Sequence, residues 1–125
     1  MRGADIVVTA TSSKDPVIQA AWVAQGVHVN AMGSNRADRR ELPAELIARA
    51  DLIAVDSIEQ SKSESGDLLL ATVDWKDRRI VELAQVDRRP AGEPITIFKS
   101  NGLGVEDVAA GAWVYEQLIN AGGRL

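Results

Sequence analysis

The sequence predicts an α/β fold, a parallel sheet of about four strands with helices on both faces. Apolar, β-branched segments alternate with segments of helical spacing along the whole chain. The first of them, Ile6-Val7-Val8, does not alternate with polar residues, which indicates a strand buried on both sides. Short turns rich in glycine, serine and asparagine follow the apolar segments. Four parallel strands with their crossovers correspond to about half of a doubly wound sheet.

The first half of the chain predicts three strands and two helices. Pro16 suits the first turn of a helix and Gly26 suits its end. Pro43 opens a second helix in the same way. The elements expected in this half are strands at residues 6–8, 27–31 and 52–55 and helices at residues 17–25 and 43–50.

The second half predicts one further strand among helices. Asp56 and Ser57 can cap a short helix at residues 58–64, and Asp67 can cap a helical turn that ends at Leu70. The spacing of apolar residues over 80–84 predicts an amphipathic helix. The remaining elements are a strand at residues 95–98 and a helix at residues 105–120, whose expected buried stripe is Val105, Val108, Ala109, Ala112 and Ile119.

Composition excludes several classes of protein. With 125 residues and 46% hydrophobic content, the chain is expected to form one domain, residues 1–125, with a real core. A net charge of −4 argues against nucleic-acid binding, which requires a basic face. The sequence has no cysteine, which excludes disulfides and thiolate chemistry and makes the cytoplasm the expected compartment. No apolar run approaches the roughly 20 residues that span a bilayer, so no membrane partner is expected.

Three turns that follow predicted strands form the candidate binding site. They are Thr11-Ser12-Ser13, Met32-Gly33-Ser34-Asn35 and Ser100-Asn101-Gly102. The carboxyl ends of parallel strands meet at one edge of a sheet, where ligands bind in open α/β folds. Their hydroxyl and amide groups can bind a ribose, an amide or a phosphate. The alternative, that these residue types simply make turns, stays open.

Three other polar residues lie in the predicted strands or directly after them. His28 lies within an apolar strand and is expected to be a satisfied core group. Asp56, at the end of the third strand, is either a cap or a carboxylate of the site. Asn35 cannot exchange a proton at neutral pH, because its side chain is an amide.

The sequence contains neither Gly-x-Gly-x-x-Gly nor a Walker motif, so it lacks the expected phosphate-binding loop of a dinucleotide fold.

Four segments together resemble the ornithine cyclodeaminase/mu-crystallin family. Each segment alone is a weak signal, but the four keep the order and spacing of the family over nearly the whole chain. They are ADIVVTATSS, HVNAMGSNRADRREL, ADLIAVDSIEQSKSESGDLL and ITIFKSNGLGVEDVAAGAWVYE.

The resemblance implies a truncated Rossmann-like NAD(P)-binding domain without a separate substrate domain. Members of the family deaminate, cyclise, oxidise or reduce amino acids and cyclic imines with NAD(P). Their chains are much longer, and this sequence resembles only their C-terminal part. Three features of the family have no counterpart in this sequence. They are the glycine-rich loop that binds the pyrophosphate, the residue that recognises the ribose and the N-terminal substrate domain.

The resemblance also assigns the candidate site residues. The expected cofactor-binding residues are Thr11, Met32, Gly33, Ser34, Arg39 and Ser100, with the middle three beneath the nicotinamide. Asn35 occupies the position where cyclodeaminases carry an acid/base aspartate, which argues against ornithine cyclisation.

Three functions are compatible with these expectations. The chain is a partial family member without catalysis of its own, or it works as an NAD(P)-dependent oxidoreductase or deaminase once an N-terminal partner chain completes it. The third possibility is a homo-oligomeric interaction module, because the first strand would expose a bare edge. A homodimer is therefore expected, closed across this edge or by exchange of the terminal helix.

Overall fold

A parallel five-stranded sheet forms the centre of the protein. The computed structural model describes residues 3–122. Its strands are β1 (Ile6–Thr9), β2 (His28–Ala31), β3 (Leu52–Val55), β4 (Ile80–Glu82) and β5 (Thr96–Lys99), and its helices are α1 (Ala44–Arg49), α2 (Ile58–Glu64), α3 (Gly66–Leu69) and α4 (Gly104–Asn120). The strand order is β1-β2-β5-β3-β4, and every neighbouring pair is parallel. The prediction of a parallel α/β fold is confirmed, with one strand more than expected.

One face of the sheet is buried in the hydrophobic core. Alternate residues of a strand point to the same face, so Val29, Ile53 and Ile97 lie side by side in the register of the central strands. The short helices cover them, and Leu46 of α1 and Leu68 of α3 are fully buried in the same cluster. This packing holds the central strands, and therefore their carboxyl ends, in place.

The opposite face is covered far less. Ile6 and Val8 of β1 are 62% and 60% exposed there, so the prediction that this strand is buried on both sides is wrong. Over the central strands, the segment around residues 83–89 forms the wall of a cavity of about 350 Å³, against which Phe98 is only half-buried. The helices expected on both faces are thus unequally distributed, with α1 to α3 packed against the buried face.

The helix expected at residues 17–25 is wrong. Only a short 3₁₀ turn, Ala20–Trp22, forms in this segment. Tertiary hydrogen bonds take the place of helical ones: the Val17 amide donates to the carbonyl of Glu41 (2.9 Å), and the Arg49 guanidinium donates to the carbonyl of Val23 (3.0 Å). An irregular chain can therefore cover the core without leaving these groups unpaired.

The helix expected at residues 80–84 is also wrong. Residues Ile80–Glu82 form strand β4, and a 3₁₀ turn, Leu83–Gln85, follows it. Ile80 and Val81 are β-branched and pair with β3, where the Ile53 amide donates to the Arg79 carbonyl (2.7 Å). Three residues are too few for periodicity to separate a strand from a helix.

One predicted helix cap needs correction, although the short helices α1 and α2 are confirmed. Ser57 caps α2 as expected, accepting a hydrogen bond from the Gln60 amide (3.3 Å). Asp67, however, lies inside α3, and its carboxylate accepts the amides of Glu41 (2.7 Å) and Leu42 (2.8 Å) instead of capping its own helix.

Helix α4 forms where the sequence predicts it, but its apolar stripe is not buried. Every residue of α4 is exposed, including Val108 (70%) and Trp113 (62%). The expected buried stripe on this helix is therefore wrong for the chain by itself. Among residues 3–122, no helix is both long and apolar enough to cross a membrane.

Candidate functional site

The three candidate turns lie along one edge of the sheet. They follow β1, β2 and β5, which are neighbours in the strand order and run in parallel. Hydrogen bonds continue past the strands, from the Met32 amide to the Thr9 carbonyl (2.9 Å) and from the Ser100 amide to the Ala31 carbonyl (3.1 Å). The prediction that these turns meet at one edge is confirmed.

The first two turns touch through their backbones at Gly33. A Cβ atom placed on this glycine would lie 2.1 Å from the Thr11 nitrogen and 2.3 Å from the Thr11 carbonyl oxygen. Because both of these atoms belong to the backbone, a side chain could fit only if the turns moved apart. Glycine is therefore required here by close approach.

A buried carboxylate, that of Glu41, binds both of these turns. Its Oε2 accepts hydrogen bonds from the Gly33 amide (2.8 Å) and the Thr9 hydroxyl (2.9 Å), while Oε1 accepts one from the Thr11 amide. The side chain is fully buried. Burial alone would raise the pKa of Glu41, but the hydrogen bonds from Thr11, Gly33 and Thr9 outweigh it and hold the pKa below its ordinary value.

A second carboxylate and a lysine lie behind Glu41. The ammonium group of Lys99 lies 3.7 Å from Oδ2 of Asp67, and both side chains are fully buried. Lys99 also donates to the carbonyls of Ser34, Ser100 (2.7 Å) and Ala31 (3.4 Å). Burial raises the pKa of Asp67 and lowers that of Lys99, because it disfavours both charged forms.

The third turn is held by Asp56, at the end of β3. Its Oδ2 accepts hydrogen bonds from the amides of Asn101 and Gly102 (both 2.7 Å) and from the Ser100 hydroxyl (3.1 Å). Neither of the two roles expected for Asp56, a helix cap or an exposed carboxylate of the site, describes this arrangement, because its carboxylate anchors a turn. Its carboxylate acts on the turn after β5, whereas Ser57 caps the following helix.

The match to known proteins covers nearly the whole chain. The sequence model described as the ornithine cyclodeaminase/mu-crystallin family matches residues 1–122. The chain belongs to this family. Its relatives include the ketimine reductase mu-crystallin of Mus musculus, which is 42% identical over 117 residues. A Delta(1)-pyrroline-2-carboxylate reductase of Bacillus cereus is 39% identical over 130 residues.

Solved structures of the ornithine cyclodeaminase/mu-crystallin family share the fold. The Thermococcus litoralis Delta(1)-pyrroline-2-carboxylate reductase, in complex with NADH and L-proline, superposes with a TM-score of 0.86 at 32% identity and 98% coverage of this chain. The chain spans only part of these proteins. Its matches cover 36% of the mouse protein, 40% of the Bacillus cereus protein and 40% of the Thermococcus litoralis chain. The same matches cover 91%, 98% and 98% of this chain, respectively. The family comprises NAD(P)-dependent oxidoreductases and cyclodeaminases.

The site residues inferred from the family differ in what they present at this edge. Thr11, Met32 and Asn35 have exposed side chains. Ser34 is buried and donates its hydroxyl to the Arg39 carbonyl (2.8 Å), while the Arg39 guanidinium donates to a carbonyl of the first turn. The edge therefore offers uncharged groups to a ligand, while the other polar groups hold the turns together.

The side chains of two further candidate residues, His28 and Ser100, are hydrogen-bonded within the protein. His28 lies on the less covered face, with Nδ1 2.8 Å from the Thr96 hydroxyl and Nε2 3.2 Å from the Asn30 amide oxygen. The histidine is satisfied, as the sequence predicts, but it is half-buried beside the cavity and does not belong to the core, so that part of the prediction is wrong. The Ser100 hydroxyl is bonded to Asp56, so it too supports the turn in this structure.

Sequence reasoning missed the buried cluster of Glu41, Asp67 and Lys99. One signal was available, because Lys99 ends an apolar strand at a position that faces the same side as Ile97. A charged residue at an inward position requires a partner. Glu41 and Asp67 are distant from Lys99 along the chain, and no comparable sequence pattern marks them as buried.

Proposed function

We propose that this chain forms the nicotinamide side of an NAD(P) site in an oxidoreductase that acts on amino acids or cyclic imines. The observation that carries the proposal is the convergence of three turns at the carboxyl edge of β1, β2 and β5, with the Gly33 backbone in contact with Thr11. Open α/β sheets bind their ligands outside this edge. The reductases that resemble the chain support the same class of reaction.

The exposed groups of the edge suit the nicotinamide ring, which is uncharged in NAD(P)H, and its amide. Thr11 offers a hydroxyl, Met32 a polarisable thioether and Asn35 an amide. When bound, NAD(P)H supplies the hydride, and the protein supplies binding and orientation. In this proposal, the backbone contact between the first two turns shapes the surface that orients the nicotinamide.

Asn35 favours an oxidoreductase over a cyclodeaminase. The resemblance places it where cyclodeaminases use an aspartate as acid and base, and an amide cannot perform that role at neutral pH. Reduction of an imine by hydride transfer needs no carboxylate at this position if another group supplies the proton.

Catalysis by this chain alone is not expected. Its sequence has no glycine-rich loop to hold the pyrophosphate, so we expect an NAD affinity weaker than about millimolar, which corresponds to less than roughly 4 kcal/mol. Activity would then require the remainder of the site from another polypeptide segment, such as an N-terminal partner chain.

Nuclear magnetic resonance titration of the chain with separate halves of the cofactor tests this proposal. We expect nicotinamide mononucleotide to shift the backbone resonances of Thr11, of residues 32–35 and of Ser100, with a dissociation constant above about one millimolar. Adenosine diphosphate is the matched control and should leave these resonances unchanged. Shifts confined to the cavity beside residues 83–89, or none at saturating nucleotide, would contradict the proposal.

A second proposal, self-association, rests on the uncovered apolar surfaces. The edge strand β1 exposes Ile6 and Val8, and α4 exposes Val108 and Trp113 in the same chain. An exposed apolar strand edge invites pairing, and two copies related by a two-fold axis can cover each other's surfaces reciprocally. We therefore propose a homodimer closed through β1 or through exchange of α4. Light scattering should give the mass of a dimer, and a clean monomer at high micromolar concentration would contradict the proposal.

A further inference from the structure

The turns of the candidate site have little apolar packing of their own. Gly33 has no side chain, and Thr11 is exposed. The Glu41 carboxylate joins them by accepting from the Thr11 amide, the Gly33 amide and the Thr9 hydroxyl, in addition to the Arg39 hydrogen bond to the first turn. Both oxygens of this buried group are thus occupied by donors from two different strand ends.

We propose that Glu41 is a positioning residue, whose carboxylate holds the turn after β1 against the turn after β2 before any nucleotide binds. This inference rests on the proposed function for its link to nucleotide affinity, whereas the holding of the two turns is a property of the protein alone. The Glu41 side chain is fully buried, so it does not itself reach the surface that a ligand would contact. It acts through Thr11 and Gly33.

Glu41 is held from behind by a second set of contacts. Its own amide donates to Oδ1 of Asp67 (2.7 Å), and Asp67 lies beside the Lys99 ammonium group. Lys99 donates to the carbonyls of Ser34 and Ser100, which belong to the second and third turns. The carboxylate therefore occupies a fixed position relative to all three strand ends.

The segment between Gly33 and Glu41 is also held by close packing. A Cβ atom on Gly66, at the start of α3, would lie 1.8 Å from the Arg39 carbonyl oxygen and 2.5 Å from that of Arg36. The backbone of this segment thus lies directly against α3. With its two ends fixed by Gly33 and Glu41, the segment has little freedom to adjust if the carboxylate is lost.

Glu41→Gln is the test variant, because it preserves size while changing the hydrogen bonding. A glutamine keeps one acceptor oxygen, but its amide group would place a donor against the amide of Thr11 or of Gly33. Asp51→Asn is the matched control. Asp51 also accepts a backbone amide, that of Ile95 (2.8 Å), but at the opposite edge of the sheet.

Amide hydrogen exchange and nucleotide titration are measured on the wild type and both variants. For Glu41→Gln we expect exchange at Thr11 and Gly33 about tenfold faster, the loss of the downfield amide proton shift that a carboxylate partner produces, and weaker shifts with nicotinamide mononucleotide. Asp51→Asn should accelerate exchange at Ile95 and leave the nucleotide response unchanged.

The outcomes separate the two proposals. Unchanged exchange and shifts at Thr11 and Gly33 in folded Glu41→Gln would overturn the positioning role, whatever the nucleotide does. Faster exchange in a protein whose wild type binds no nucleotide would support the positioning role and contradict the proposed function. If Glu41→Gln does not fold, the positioning role is tested in the wild type. The measurement is of scalar couplings across the hydrogen bonds, from the Thr11 and Gly33 nitrogens to the Glu41 carboxyl carbon. Their absence would overturn the proposal.

Discussion

Lys99 and Asp67 form a wholly buried ion pair beneath the candidate site, with the ammonium nitrogen 3.7 Å from a carboxylate oxygen. Such a pair contributes little net stability, because the cost of removing both charges from water offsets their attraction. Their further hydrogen bonds are what connect the strand ends: Lys99 binds carbonyls of two turns, and Asp67 binds the amides of Glu41 and Leu42.

Removing one member of this pair should be costly. Lys99→Met leaves the Asp67 carboxylate without a compensating charge, and we expect a loss of about 3–5 kcal/mol in the free energy of unfolding, measured by urea denaturation. The control is Lys62→Met, which breaks an exposed pair with Glu59 and should change stability by less than about 0.5 kcal/mol.

The double variant K99M/D67N tests whether the two charges depend on each other. Neutralising both leaves no isolated buried charge, so we expect less destabilisation than the sum of the two single variants. The asparagine oxygen can still accept the amides of Glu41 and Leu42. Additive losses would show that Lys99 acts only through its carbonyl partners.

Substitution of two glycines should give effects of opposite sign. Gly33→Ala forces a Cβ atom into the Thr11 backbone, and we expect a loss of about 1–3 kcal/mol or more, together with a weaker response to nicotinamide mononucleotide. Gly111→Ala in α4 meets no atom within 4 Å and should stabilise the helix by roughly 0.5–1 kcal/mol. Thermal unfolding followed by circular dichroism measures both, and equal tolerance of the two alanines would contradict the close contact.

The stability that Glu41 provides should disappear in acid. Its pKa is lower in the folded protein than the ordinary glutamate value of 4.5, so its contribution is fully present above that value and is lost as the pH falls through the folded-state pKa. The stability difference between the wild type and Glu41→Gln should therefore shrink below pH 4.5 in urea denaturation series. The raised pKa of Asp67 acts in the opposite sense; its main cause, burial, is common to both proteins, while the smaller effect of the Glu41 charge is absent from Glu41→Gln. A difference that stays constant with pH would contradict this account.

The proposed dimer can be tested at the edge strand. Val8→Lys places a charge on the exposed face of β1, which should raise the dimer dissociation constant at least about tenfold if β1 forms the interface. Light scattering over a concentration series measures this. Lys14→Ala, at an exposed position outside the sheet, is the control. A dimer that persists in Val8→Lys would favour closure through α4.

The sequence predicted those parts of the fold that local pattern controls. The β-branched run of β1, the cap at Ser57 and the glycine and serine turns after the strands each depend on residues that are close along the chain. Where tertiary contacts competed with the local pattern, prediction failed. The segment around Ala20 forms hydrogen bonds to Glu41 and Arg49 in place of helical ones. Ile80 lies in a strand that pairs with β3.

By itself, the sequence determined a parallel α/β domain of the ornithine cyclodeaminase/mu-crystallin family, with three small-residue turns at neighbouring strand ends. Hydrophobic pattern and turn chemistry are local, so they can be read from neighbouring residues. Only the tertiary structure decided how these turns are held together and that the apolar stripe of α4 stays uncovered. The role of a buried charge such as Lys99 depends on partners more than thirty residues away along the chain, Asp67 among them. Only the fold brings these partners within contact distance.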